Sequence, residues 1–105
     1  NTCIDRGTLG NVEIGNHVKI NNISHIAHNV IIEDHVMIGA LVIISGSVWI
    51  KKNVYISPGA TIRNQVTIGA NSLIGLGSVV VKDVEDNVVI IGVPGKKIRN
   101  HEGEK

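Results

Sequence analysis

Four of the five histidines in this 105-residue chain lie close together, at His17, His25, His28 and His35. An imidazole gains or loses a proton near neutral pH, so such residues serve as general bases or as metal ligands. No cysteine or histidine lies between His35 and His101, and a zinc site is therefore not predicted. Acid–base chemistry is the better hypothesis, and the elements that carry the four side chains decide which of them can perform it.

Those elements follow from a six-residue repeat. Isoleucine occupies every sixth position from Ile14 to Ile74, and Val80 takes the next position. A small or β-branched residue stands four positions after each isoleucine, so both side chains point to the same side of an extended chain. A short fixed period of this kind indicates a parallel β-helix, an all-β solenoid with three short strands in each 18-residue coil. Residues 18 apart then stack at ~4.8 Å in three columns, which begin at Ile14, Ile20 and Ile26.

The second and third positions after each isoleucine form the corners of the predicted prism. The third position is rich in residues that accept left-handed backbone angles or bond locally, namely Asn29, Asn53, Gly59, Asn71 and Gly77. Ile23 and Leu41 fit the same position poorly, and they predict local irregularity in the corner that they share.

The repeat places the four histidines in different environments. His17 and His35 are 18 apart at the third corner position, so we expect them to stack in one column as local turn residues. His25 points outward from a strand, where it either orients a substrate or simply faces solvent. His28 occupies the second corner position and is predicted to project outward, where a neighbouring subunit can close a cleft.

The chain is predicted to form a single β-helix domain over residues 1–105. Residues 1–13 form an irregular first coil, 14–81 the regular coils, 82–99 a C-terminal cap and 100–105 a frayed tail. Within the cap, the apolar run Val88–Val93 is expected to be a strand that folds back. The chain opens in mid-repeat without an initiator methionine, which predicts a fragment that lacks an N-terminal domain.

Charge and composition narrow the function classes. Ten basic and nine acidic residues without a long run of either sign, and very few aromatic residues, argue against nucleic-acid binding. A single cysteine, Cys3, excludes an internal disulfide. No stretch has the length and flanks of a signal or membrane segment, so we expect no membrane insertion and a cytoplasmic location.

Two strings near the start of the chain are specific: I-D-R-G-T-L-G at residues 4–10 and H-I-A-H-N at residues 25–29. They resemble the UDP-3-O-acylglucosamine N-acyltransferases of lipid A synthesis. That resemblance to hexapeptide-repeat acyltransferases implies a left-handed parallel β-helix. It also implies that His28 is the catalytic general base, with His25 and Asn29 as substrate-binding residues beside it.

The far end of the chain resembles a second group, the acetyl-CoA-dependent bacterial sugar acetyltransferases. The resemblance lies in residues 74–84 (I-G-L-G-S-V-V-V-K-D-V) and 92–96 (G-V-P-G-K), with Gly95 where those enzymes usually have alanine. It implies that Gly75, Gly77, Lys82 and Lys96 bind acetyl-CoA. Neither the N-terminal nucleotide-sugar-binding domain of these families nor the helical extension of the lipid A enzymes is found in this sequence.

Outward-facing apolar residues suggest a partner surface. One face carries Met37, Tyr55 and Leu73, and another carries Ile31 and Trp49, beside which Glu33 and Lys51 are expected to form an ion pair. Hexapeptide transferases are typically trimers, so the resemblance predicts a homotrimer with active sites between subunits.

The leading functional hypothesis is an acyltransferase without a permanently bound cofactor. It takes an acyl group, most simply acetyl from acetyl-CoA, and transfers it to an amine or hydroxyl of a nucleotide-linked sugar in bacterial glycan synthesis. Two alternatives stay open: an N-acyltransferase of lipid A synthesis that uses an acyl carrier protein thioester, and a catalytically inactive structural β-solenoid.

Overall fold

The computed structural model describes residues 3–4 and 12–101. All regular elements in this part of the chain are strands, most of them two residues long: β1 Cys3–Ile4, β2 Glu13–Ile14, β3 Lys19–Ile20, β4 His25–Ile26, β5 Ile31–Ile32, β6 Met37–Ile38, β7 Ile43–Ile44, β8 Trp49–Ile50, β9 Tyr55–Ile56, β10 Thr61–Ile62, β11 Thr67–Ile68, β12 Leu73–Ile74, β13 Val79–Val80, β14 Val88–Ile91 and β15 Lys96–Asn100. The described residues contain no helix of the length and apolarity that crossing a bilayer requires.

The strands form three sheets, and from β1 to β13 each sheet takes every third strand. Sheet A contains β1, β4, β7, β10 and β13; sheet B contains β2, β5, β8 and β11; sheet C contains β3, β6, β9, β12, β14 and β15. From β2 to β13 the pairing is parallel with residues 18 apart in register, as in Ile14 with Ile32 and Ile26 with Ile44. The predicted left-handed parallel β-helix and its three columns are thereby confirmed.

The core is the isoleucine ladder with the small residues between its rungs. From Ile26 to Ile74 every sixth isoleucine is at most 2% exposed, and the interleaved valines are equally buried. Ile14 is 41% exposed because it lies at the N-terminal end of the regular coils. Burial of each isoleucine contributes roughly 1.5–3 kcal/mol, so a narrow interior without large aromatic side chains suffices.

The corners are regular throughout, including the two positions where irregularity was predicted. Ile23 and Leu41 both adopt φ of 61°, close to the 59° of Asn29 at the equivalent position. That part of the prediction is wrong, because bonds between coils hold the corner whichever residue occupies it. The Leu41 amide, for example, donates to the Asn22 carbonyl at 3.4 Å. A left-handed conformation costs a non-glycine residue about 1–2 kcal/mol, which the surrounding ladder offsets.

The C-terminal segment extends the coil before it turns back. β14 pairs in parallel with β12, Leu73 opposite Val89, so the run 88–93 does not fold back as predicted. The reversal comes with β15, which pairs antiparallel to β14. Asn100 belongs to β15, and the His101 amide donates to the Asn87 carbonyl at 2.7 Å, so these two residues are ordered rather than frayed. Residues 1–2 and 5–11 of the predicted irregular first coil, and tail residues 102–105, lie outside the described residues.

Candidate active site

His28 lies on the corner where sheet A passes into sheet B, the AB corner, formed by residues 28–29, 46–47, 64–65 and 82–83. Its imidazole runs along this corner toward the next coil instead of projecting straight outward, and the residue is partly buried. A Cβ atom at Gly46 would stand 2.9 Å from both Cε1 and Nε2 of the ring. The glycine 18 residues after His28 therefore provides the space in which the imidazole lies.

Asn29 holds the other edge of the imidazole. Its Nδ2 atom is 3.3 Å from Nδ1 of His28. The tautomer sets the roles in this pair, because an amide nitrogen donates to a bare Nδ1 while an amide oxygen accepts from Nδ1–H. With Nδ2 facing Nδ1, the amide donates to Nδ1 and the proton of the ring is on Nε2. A general base needs the second arrangement, in which the Asn29 amide is turned over, its oxygen accepts from Nδ1–H and the lone pair of Nε2 is free on the side that faces Gly46.

The backbone N–H of Gly46 completes this arrangement. Among the hydrogen bonds of the described residues none uses this N–H, although the Gly46 carbonyl accepts from Gln65 N at 3.0 Å. An unpaired N–H beside an imidazole is a ready donor for a carbonyl oxygen that becomes negatively charged.

Three equivalent amides on the next corner, those of Asn16, Lys52 and Ala70, have carboxylate partners. The corner from sheet B to sheet C, the BC corner, comprises 16–17, 34–35, 52–53, 70–71 and 86–87. There Asn16 N donates to Asp34 Oδ1 at 2.7 Å, and Ala70 N donates to Asp86 Oδ1 at 2.8 Å. Carboxylates of the chain itself thus satisfy the amides of Asn16 and Ala70 on the BC corner, whereas no carboxylate among the described residues accepts from the Gly46 N–H on the AB corner.

The other three candidate histidines of the cluster lie apart from the AB corner. His17 and His35 stack on the BC corner with ring centroids 5.0 Å apart and an interplanar angle of 7°, which confirms their predicted column. His25 is exposed on β4, opposite Ile43 of β7. None of these rings has the pairing of asparagine and glycine that surrounds His28.

The predicted cofactor residues fall into two groups. Lys82 and Lys96 come together, with Lys97, around a cavity of ≈ 550 Å³ at the C-terminal mouth of the solenoid, and Lys97 is paired with Glu85 at 3.3 Å. Gly75 is buried in sheet C, where a Cβ would meet Ile91 Cγ1 at 2.7 Å. Gly77 is an exposed corner residue with φ of 63°. The two lysines therefore line the same cavity, and the two glycines lie outside it.

Sequence reasoning missed Gly46, for which the signal was its position 18 residues after His28. It was wrong about Glu33, whose carboxylate does not pair with Lys51. Glu33 accepts from Trp49 Nε1 at 2.7 Å and from Lys52 N at 3.1 Å. The Lys51 ammonium lies over the Trp49 ring at 5.0 Å instead.

Comparison with known proteins identifies the family of the chain. The family model described as bacterial transferase hexapeptide (six repeats) matches residues 11–46 and 47–82. UDP-3-O-acylglucosamine N-acyltransferase of Caulobacter vibrioides is 53% identical over 32 residues, which span 30% of this chain and only 9% of that protein.

Two solved structures show the same solenoid. A galactoside acetyltransferase in complex with coenzyme A superposes with a TM-score of 0.79 at 30% identity, over 94% of this chain and 64% of that chain. A GDP-perosamine N-acetyltransferase of Caulobacter crescentus, in complex with coenzyme A and GDP-perosamine, superposes with a TM-score of 0.80 at 24% identity, over 91% of this chain and 52% of that chain.

Proposed function

The chain belongs to the bacterial transferase hexapeptide family, and we propose that it transfers an acetyl group from acetyl-CoA to an amine or hydroxyl of a nucleotide-linked sugar. The observation that carries this proposal is the AB corner, where the His28 imidazole lies against Gly46, whose N–H is used by none of the hydrogen bonds among the described residues. The names of the similar proteins, which include sugar N-acyltransferases and a coenzyme A complex, support the substrate classes.

The proposed reaction uses each group of the corner once. The acceptor nitrogen or oxygen attacks the thioester carbonyl carbon and forms the new bond, while Nε2 of His28 takes the acceptor proton. The carbonyl electron pair moves to oxygen, and the Gly46 N–H donates to that oxyanion. When the carbonyl re-forms, the carbon–sulfur bond breaks, and the thiolate takes the proton from the imidazolium. Asn29 keeps the ring in place throughout.

The donor is proposed to lie along the AB corner. Lys82 follows two residues after Val80, and so continues the column His28, Gly46 and Asn64. Three coils at ~4.8 Å separate His28 from Lys82 by ~14 Å, which suits an extended thiol arm that ends at the phosphates of coenzyme A. Lys82 and Lys96 at the cavity of ≈ 550 Å³ supply cations for those phosphates.

A homotrimer is the assembly that we propose. Met37 and Tyr55 are 45% and 39% exposed on the outer face of sheet C. Small residues such as Gly39 and Ser57 follow them two positions later in each coil. They keep this face flat and suited to contact with another copy of the chain. The cytoplasm, where acyl thioesters and nucleotide sugars are made, is the proposed compartment.

Replacement of His28 tests the function directly. In an assay of acetyl-CoA and acyl carrier protein donors against UDP- and dTDP-linked amino sugars, His28→Ala should lower turnover by 10²–10⁴-fold. Its melting temperature should hardly change, because the side chain supports little packing. His17→Ala, a corner residue outside the site, is the matched control and should retain most activity. Equal losses of turnover in both variants would refute the role of His28. Activity with acyl carrier protein donors only would show that acetyl-CoA is not the acyl donor.

A further inference from the structure

Trp49 is an aromatic side chain held in one orientation on the outer face of sheet B. Its Nε1–H donates to Glu33 Oε2 at 2.7 Å, and the other oxygen of that carboxylate accepts from Lys52 N at 3.1 Å. The Lys51 ammonium lies 5.0 Å from the ring centroid. Despite these contacts the indole is 41% exposed. It is therefore a preorganised flat surface that still presents much of its area to a ligand.

The register of the solenoid places this surface beside the AB corner. Trp49 lies three residues after Gly46, whose missing side chain accommodates the His28 ring. Three residues span at most ~11 Å of extended chain. A ligand that rests on the indole thus lies within reach of the His28 imidazole across a single hexose and its substituents.

The charged side chains near the Trp49 indole indicate which part of an acceptor can bind there. Glu33, which accepts from the indole, also lines a groove of ≈ 450 Å³ together with Glu13, Asp34 and Lys52, among others. Three carboxylates and a single ammonium group, that of Lys52, line this groove and make it unfavourable for a diphosphate. Hydroxyl groups, by contrast, donate to carboxylates and accept from ammonium groups. Aromatic rings also pack against the apolar face of a flat ligand, so a polyhydroxylated ring fits better than a nucleotide base with its phosphates.

We infer that Trp49 is the stacking surface for the hexose ring of the acceptor, with Glu33 as the residue that positions the indole. This inference rests on the proposed function, since it deepens the acceptor side of the same site. The nucleotide of the acceptor extends away from the indole, and the donor approaches from the opposite end of the AB corner, near Lys82.

The test uses the fact that Trp49 is the only tryptophan of the chain. Its emission should shift to shorter wavelength when UDP- or dTDP-linked amino hexoses are added, and UDP or dTDP alone should leave it unchanged. His28→Ala should show the same shift, because binding does not require catalysis. If His28→Ala shows the emission shift and also retains full turnover, the proposed function of His28 is refuted while the role of Trp49 stands.

Kinetics provide the second readout. Trp49→Ala should raise the KM for the sugar acceptor by about 2- to 12-fold, the range expected for loss of an aromatic stacking contact. The KM for the thioester donor should stay unchanged, and Trp49→Phe should restore part of the loss. Ile98→Ala, which removes a side chain 54% exposed on β15, is the control and should change neither constant. The same shift with UDP alone, or an unchanged acceptor KM in Trp49→Ala, would overturn the inference.

Discussion

Gly46→Ala should slow the reaction strongly without unfolding the protein. The new Cβ would stand 2.9 Å from two atoms of the His28 ring, whereas ordinary contacts begin at roughly 3.4–4 Å. The ring must therefore move by about 0.5–1 Å. A misplacement of about 1 Å in a catalytic group costs up to about 10²-fold in rate. Because the φ of Gly46 lies outside the left-handed region, the backbone accepts alanine and the melting temperature should stay near that of the parent.

A double-variant cycle isolates the cause. In His28→Ala the space beside Gly46 is empty, so Gly46→Ala should cost no further turnover in that background. Steady-state kcat of the parent, both single variants and the double variant, each with a melting curve, gives the coupling. If Gly46→Ala lowers kcat by the same factor with and without His28, the glycine acts independently of the imidazole and the geometric reasoning is refuted.

Two further predictions concern the donor and the assembly. The double variant Lys82→Ala, Lys96→Ala should raise the KM for acetyl-CoA roughly 2- to 20-fold, and the increase should be smaller at high salt. Lys19→Ala is the control. An unchanged KM in the double variant would contradict the assignment of these two lysines to the donor phosphates. Sedimentation at micromolar concentration should give the mass of three chains. Replacement of Met37 and Tyr55 by charged residues should yield monomers with little activity. A fully active monomer would show that the site needs no neighbouring subunit.

The regular coils could be predicted from the sequence because each inward position is specified twice, by apolar character and by the period of six. The path of the chain after Val80 could not, since an apolar run such as 88–91 indicates burial but not which strand lies beside it. The partner of Glu33 was likewise undetermined. Spacing brought Lys51 near it, but the indole N–H of Trp49 and the backbone N–H of Lys52 are closer donors in the folded chain.

The site also illustrates how a uniform backbone can acquire a reactive corner. The hexapeptide repeat imposes the same left-handed turn at every corner, from His17 to Asn71. On the BC corner the carboxylates of Asp34 and Asp86 accept hydrogen bonds from the N–H groups of Asn16 and Ala70. On the AB corner the N–H of Gly46 stays open, and the residue beside it is a histidine. A donor for an oxyanion and an acceptor for a proton therefore coincide there without any loop built for the purpose. The repeat supplies the geometry, and the choice of side chains at positions 28, 29 and 46 supplies the chemistry.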